Sequence, residues 1–133
     1  IIPALATRAA DDSLFASFGV MGGFMQPQGH VQVAIALADD GLDPQAALDR
    51  PRLCLSAEEM PNSENGRVPV ALEEGIPVRS MAALADLGHT GRPVSGLGRS
   101  QFGRVQVICR DSDSGVLWGG SDPRADGCAL CLS

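Results

Sequence analysis

A chain of 133 residues with 44% hydrophobic content is sized for one ordinary domain with a core of its own. A net charge of −6 and a pI near 4.7 exclude nucleic acid as a partner, because neutralising phosphates needs clustered cations, and the ten cations here are all Arg, scattered from Arg8 to Arg124. No apolar stretch approaches the ~20 residues of a membrane span and no charged-then-apolar signal pattern opens the chain, so no membrane partner is expected and the compartment stays open.

Aromatic residues make up only 4% of the chain, so the core must rest on Ala, Val, Leu and Ile. Sixteen Gly and nine Pro imply many turns. In chain order, the apolar run Leu14 to Val20, broken by Ser17, predicts a strand, and Gly22-Gly23 interrupt it before a helix-like segment. Adjacent glycines let the backbone turn tightly and leave their N–H groups uncovered by any Cβ. Such a pair is either a tight strand-to-helix connection or, if it faces a cleft, a donor pair for an oxyanion. The following segment, nearly all apolar from Val31 to Ala38, predicts a helix buried between layers, although Val31, Val33 and Ile35 also permit a buried strand.

Asp43-Pro44 is an N-cap followed by Pro at the first helical position, which predicts a short helix through Asp49, closed by Pro51. Ser56 to Arg67 is polar and predicts a surface loop, and Val70 to Glu73 a short strand. Pro77 opens another helix, with Met81, Leu84 and Ala85 as its apolar stripe and Gly88 just past its end. From Gly103 to Trp118 the alternation of Val105, Val107 and Cys109 with Arg104, Gln106 and Arg110 predicts a hairpin turning at 111–115. Strands and helices intermix, so the fold class is α+β.

Most other catalytic signatures fail on inspection. Ser121 has Gly119 two before it but Pro123 two after, so the nucleophile elbow is incomplete. No Gly-Lys-Ser/Thr phosphate loop and no dinucleotide glycine spacing occurs. Cys128-Ala129-Leu130-Cys131 has metal or redox spacing, but zinc needs a second ligand pair, and His30 and His89 lie far apart. No metal and no cofactor is therefore expected. Cys54 and Cys109 sit in strand-like apolar settings as small hydrophobes. His30, in the first turns of the predicted helix, is either a base or a hydrogen-bonded structural residue.

The glycine-pair run Phe18 to His30, the block Leu42 to Arg52, Leu72-Glu73-Glu74-Gly75-Ile76-Pro77, Phe102-Gly103-Arg104, and Gly119 to Gly127 follow one another in an order that resembles the γ-glutamyltransferase family. The resemblance covers nearly all of residues 1–133, read as a single segment similar to the C-terminal part of that family's small subunit, and is nearest to its hydrolase-like bacterial branch. It implies part of an αββα N-terminal-nucleophile hydrolase sandwich, in a bacterial cytoplasm or periplasm. It further implies cleavage or transfer of a γ-glutamyl or related amide through an acyl-enzyme, with Gly22 and Gly23 donating backbone N–H bonds to the oxyanion. The family's nucleophile is a threonine whose own α-amino group is the base. Ile1 has no attacking group, and neither Thr7 nor Thr90 matches the nucleophile motif, so that threonine is expected before Ile1. The serine pair and the acidic residue that hold the glutamate moiety are expected there too. The implied partners are the large subunit and the N-terminal part of the small subunit of the same precursor, with a small-molecule amide as substrate. The family's Asp122-Pro123-Arg124 block is implied to be structural, although Arg124 could also clamp a carboxylate. The rival reading is a non-catalytic truncated or split-gene module that only folds with or binds a partner chain.

Overall fold

The computed structural model describes residues 2–55 and 68–131. The predicted loop from Ser56 to Arg67 lies outside the described residues. The chain divides into two compact units, residues 1–50 with 103–133, and residues 51–102.

The first unit is a four-stranded antiparallel sheet in the order β1-β2-β6-β7, comprising β1 (Ile2–Thr7), β2 (Leu14–Met21), β6 (Arg104–Arg110) and β7 (Leu117–Ser121). Register pairs Val20 with Val105 and Phe18 with Val107. Strand side chains alternate between faces, so Ala16, Val20, Val105 and Val107 form one buried row. Helices α1 (Met25–Ala38) and α2 (Pro44–Asp49) cover that face, contributing Val33, Ala36, Leu37, Ala47 and Leu48 to the same cluster. The other face carries Leu5, Ser17, Ile108 and Gly119, all exposed, Leu5 at 70% and Ile108 at 47%.

The strand alternative for Val31 to Ala38 is not taken: the segment is helical. It is buried on one side only, through Met25, Gly29, Val33, Ala36 and Leu37, while Val31 and Ile35 stay exposed instead of lying between two layers. Gly29 is what lets α1 sit close, because a Cβ there would come within 2.9 Å of Val20 Cγ1. Asp43 caps α2 as its sequence suggests, accepting the Ala46 N–H at 2.9 Å. Arg8 ties the β1–β2 turn to the end of β6 by donating to the carbonyls of Leu14 (2.5 Å) and Arg110 (2.6 Å). In the β6–β7 turn, Ser114 donates its hydroxyl and N–H to Asp111, which holds that carboxyl below its ordinary range.

The second unit carries β3 (Leu53–Leu55), β4 (Val70–Glu73) and β5 (Gly91–Val94), with β4 central, antiparallel to β3 and parallel to β5. A parallel pair needs a crossover, and α3 (Val78–Asp86) supplies it, ending with Gly88 at φ +87. Its expected stripe is only half-covered: Met81 and Leu84 are partly buried and Ala85 is exposed. All four residues of β4 are buried, including Glu73. That carboxylate accepts the Arg52 N–H and the Arg99 Nε–H, both at 2.8 Å, and Arg52 donates its guanidinium to Phe102 O at 3.2 Å. A buried charge persists when it is paired and hydrogen-bonded in this way. No described helix is long and apolar enough to cross a membrane.

In the first unit, β7 packs on α2 so closely that a Cβ on Gly120 would stand 2.8 Å from the carbonyl carbon and oxygen of Pro44. The obstacle is backbone, which cannot rotate aside as a side chain can. Gly120→Ala is expected to destabilise the fold by about 1–3 kcal/mol, the usual cost of overpacking, read as a lower midpoint in denaturant; an unchanged midpoint would refute the contact.

Candidate functional site

The three residues between β2 and α1 turn the chain through conformations that few residues tolerate. Gly22 lies at φ +150 and Gly23 at φ +58. Their carbonyls begin the helix: Met25 N–H donates to Gly22 O at 3.0 Å and Gln26 N–H to Gly23 O at 3.1 Å. Their own N–H groups make no hydrogen bond among the described residues. Two adjacent donors are thus left open at the N-terminal end of a 14-residue helix, where the peptide dipoles favour negative charge. The turn can therefore stabilise charge that develops on an oxygen beside it.

Space separates the two glycines. A Cβ on Gly22 would lie 2.9 Å from Gly103 Cα, whereas a Cβ on Gly23 would meet nothing within 4 Å. Gly103 itself is buried at φ +73 and would place its own Cβ 3.0 Å from Met21 O. Sequence reasoning assigned Gly103 no role beyond the resemblance. The signal it carried was a lone glycine opening an alternating strand, which often marks a close backbone approach.

The remaining candidates take structural places. His30 Nδ1 contacts Gln26 O at 2.7 Å, so that nitrogen carries the proton, and the ring stands 5.4 Å from Phe18. Thr7 ends β1 and Thr90 precedes β5, both exposed. Asp122, 1% exposed, accepts the Val105 N–H (2.9 Å), the Arg124 N–H (2.9 Å) and Arg124 Nη1 (3.0 Å). Arg124 also donates to the carbonyls of Leu48 (2.9 Å) and Arg50 (3.0 Å). The block pins the chain after β7 to the start of β6 and the end of α2, as the resemblance implied. Among the described residues no group of three or more His, Cys, Asp and Glu is placed to hold a metal. Cys54 and Cys109 are free thiols whose pKa burial pushes up. Cys128 and Cys131 are exposed and form no disulfide among the described residues.

The sequence profile described as gamma-glutamyltranspeptidase matches residues 1–132. The chain belongs to this family. It is 28% identical over 130 residues to the Glutathione hydrolase-like YwrD proenzyme of Bacillus subtilis, a match covering 98% of the chain and 23% of that protein. The structure resembles a cephalosporin acylase from Bacillus halodurans at 43% identity and a TM-score of 0.78, covering 92% of this chain and 21% of that one. It also resembles the gamma-glutamyltranspeptidase of Pseudomonas nitroreducens at a TM-score of 0.75 over 99% of the chain and 62% of that one, where 20% identity marks a likeness of fold. The chain thus spans about a quarter or less of the first two relatives and carries part of the α+β N-terminal-nucleophile hydrolase fold of this enzyme family.

Two outcomes check the site's physical description. Gly22→Ala must displace the Gly103 backbone, whereas Gly23→Ala meets only the left-handed conformational penalty of about 1 kcal/mol. Thermal melts of the two variants are expected to rank Gly22→Ala as the less stable, and the opposite ranking would refute the close approach. Thiolate is the reacting form of cysteine, so raised pKa values together with burial predict slow alkylation of Cys54 and Cys109. Mass-mapped iodoacetamide labelling near pH 8 is expected to modify Cys128 first; faster labelling at Cys54 would contradict its environment.

Proposed function

We propose that this chain is the segment of a γ-glutamyltransferase-like N-terminal-nucleophile hydrolase that supplies the oxyanion donors Gly22 and Gly23. The observation that carries the reading is the pair of adjacent N–H groups without partners among the described residues, held at positive φ where a helix begins. In an acyl transfer the substrate carbonyl oxygen gains charge as the nucleophile attacks. Donors fixed beforehand stabilise that charge without reorganising, which is why they accelerate the step. The nucleophilic threonine, the residues that hold the substrate and the large subunit come from parts of the parent protein outside these 133 residues. The threonine attacks the amide, an acyl-enzyme forms and the amine leaves; water or a second amine then takes the acyl group.

The acyl group need not be γ-glutamyl. Identity to the cephalosporin acylase of Bacillus halodurans is 43%, against 20% to the gamma-glutamyltranspeptidase of Pseudomonas nitroreducens, and this favours a related amide hydrolysed to the free acid. By this reading the chain on its own, without the threonine, does not turn over a γ-glutamyl anilide.

In the full-length enzyme, Gly23→Ala is expected to lower kcat by ~10²-fold or more with a smaller change in KM, since an oxyanion contact strengthens in the transition state. The open space around Gly23 makes this the informative variant, because it perturbs the N–H pair without a clash. An unchanged kcat with a lowered melting temperature would assign the pair to a structural turn.

A further inference from the structure

Glycine loses more freedom on folding than any other residue, yet donors that stabilise an oxyanion must be fixed beforehand. What fixes the Gly22–Gly23 turn therefore comes from residues outside it. Met25 and Gly103 close the corner beside Gly22. Gly23 has open space around it and is held through its carbonyl, which accepts the Gln26 N–H at 3.1 Å. The usual helical bond from four residues on cannot form there, because that residue is Pro27 and has no N–H. The helix brings no side-chain cap either: its N-cap is Phe24, and no acidic residue stands in its first turn. Gln26 is thus the anchor of the second glycine.

Gln26 itself sits against a local preference. Steric clash with a following proline disfavours the helical conformation, and Gln26 is helical with Pro27 next to it. His30 supplies the compensation. Its Nδ1–H donates to Gln26 O at 2.7 Å, and its ring centroid stands 5.4 Å from that of Phe18 on β2. Nε2, on the far side of the ring, is buried. The imidazole therefore reaches from the strand that enters the turn to the first turn of the helix that leaves it, with Gly22 and Gly23 between. All of these contacts lie within the first unit.

We propose that His30 is a positioning residue: by fixing Gln26 it holds the Gly23 carbonyl, and so sets the direction of the Gly22 and Gly23 N–H groups. In this role the imidazole touches neither the substrate nor the reacting atoms and exchanges no proton, which separates it from a general base. Its catalytic effect rests on the oxyanion reading above; its hold on the turn does not.

Three variants of the full-length protein separate the hydrogen bond from the packing. His30→Phe keeps the ring and loses the donor. His30→Asn keeps an N–H at the Nδ1 position and loses the ring, and His30→Gln carries its amide toward the Nε2 end. Hydrogen exchange read by mass spectrometry compares peptides over 22–28 with peptides over 31–38, and kcat and KM are measured on a γ-glutamyl anilide. His30→Phe and His30→Gln are expected to speed exchange at 22–28 by about 10-fold, with 31–38 unchanged. They are expected to lower kcat by about 10-fold with a smaller change in KM, the usual worth of one hydrogen bond. His30→Asn is expected to restore most of both. If His30→Phe fails to fold, the contrast between His30→Asn and His30→Gln decides. Wild-type exchange at 22–28 in His30→Gln, a rise spread evenly over α1, or His30→Asn as the slowest variant overturns the proposal. Exchange needs no substrate, so it decides the hold on the turn even if the anilide is not cleaved. Gly23→Ala, run alongside, keeps the two readings apart. Slow turnover in Gly23→Ala with wild-type turnover in His30→Gln refutes the positioning role alone. Unchanged kcat in Gly23→Ala refutes the oxyanion reading, and the exchange pattern then decides whether His30 holds the turn.

Discussion

Where β2 ends and β6 begins, two backbones approach so closely that neither can carry a side chain. Gly22 and Gly103 meet there, and a Cβ on the first would stand 2.9 Å from the Cα of the second. Met25, 2% exposed, fills the corner beside both, its Cβ 3.4 Å from the position of a Cβ on Gly22 and its Cγ 3.3 Å from one on Gly103. The chain must therefore leave β2 through positive-φ glycines, and α1 must begin at once. The helix then crosses the buried row of the sheet, with Gly29 against Val20 one turn after Met25. The same constraint keeps the Gly22 and Gly23 N–H groups out of the sheet ladder and ahead of the helix ladder, and so leaves them available.

Each unit also carries its own buried carboxylate, and both are built alike. Asp122 and Glu73 are almost wholly removed from solvent, and each accepts a backbone N–H and an arginine. Burying a charge is costly unless its lone pairs are occupied, and removing one partner of such a pair typically costs ~3–5 kcal/mol. Their structural effect is to fix irregular segments: the loop after β7 in the first unit, the chain around Arg52 and Arg99 in the second. Asp122 also takes up Arg124, so that guanidinium is paired inside the fold.

Local chemistry made most elements legible. The alternation in β6, the Asp43-Pro44 start of α2 and the Gly88 stop after α3 follow from period and capping, which depend only on neighbours in sequence. β1, β5 and the 3-10 turn Gly96–Phe102 were not anticipated, because Ile2–Thr7 and Gly91–Val94 become strands only by pairing with β2 and β4. The all-round apolar α1 was read as interior, yet it is covered on one side only, and the stripe of α3 is only partly covered. A helical pattern reports which residues share a face; what covers that face is decided by other segments.

The sequence by itself determined the family, the elements other than β1, β5 and the 3-10 turn, and the glycine pair as a candidate site, because these depend on residue type and short-range spacing. Only the tertiary structure decided that Gly103 is the reason Gly22 must be glycine. Only there does Asp122 become a buried anchor, and Arg104 comes to share a cleft with Asp126. Gly103 stands 81 positions from Gly22, and Asp122 and Asp126 stand 18 and 22 positions from Arg104, and strand pairing brings them within reach.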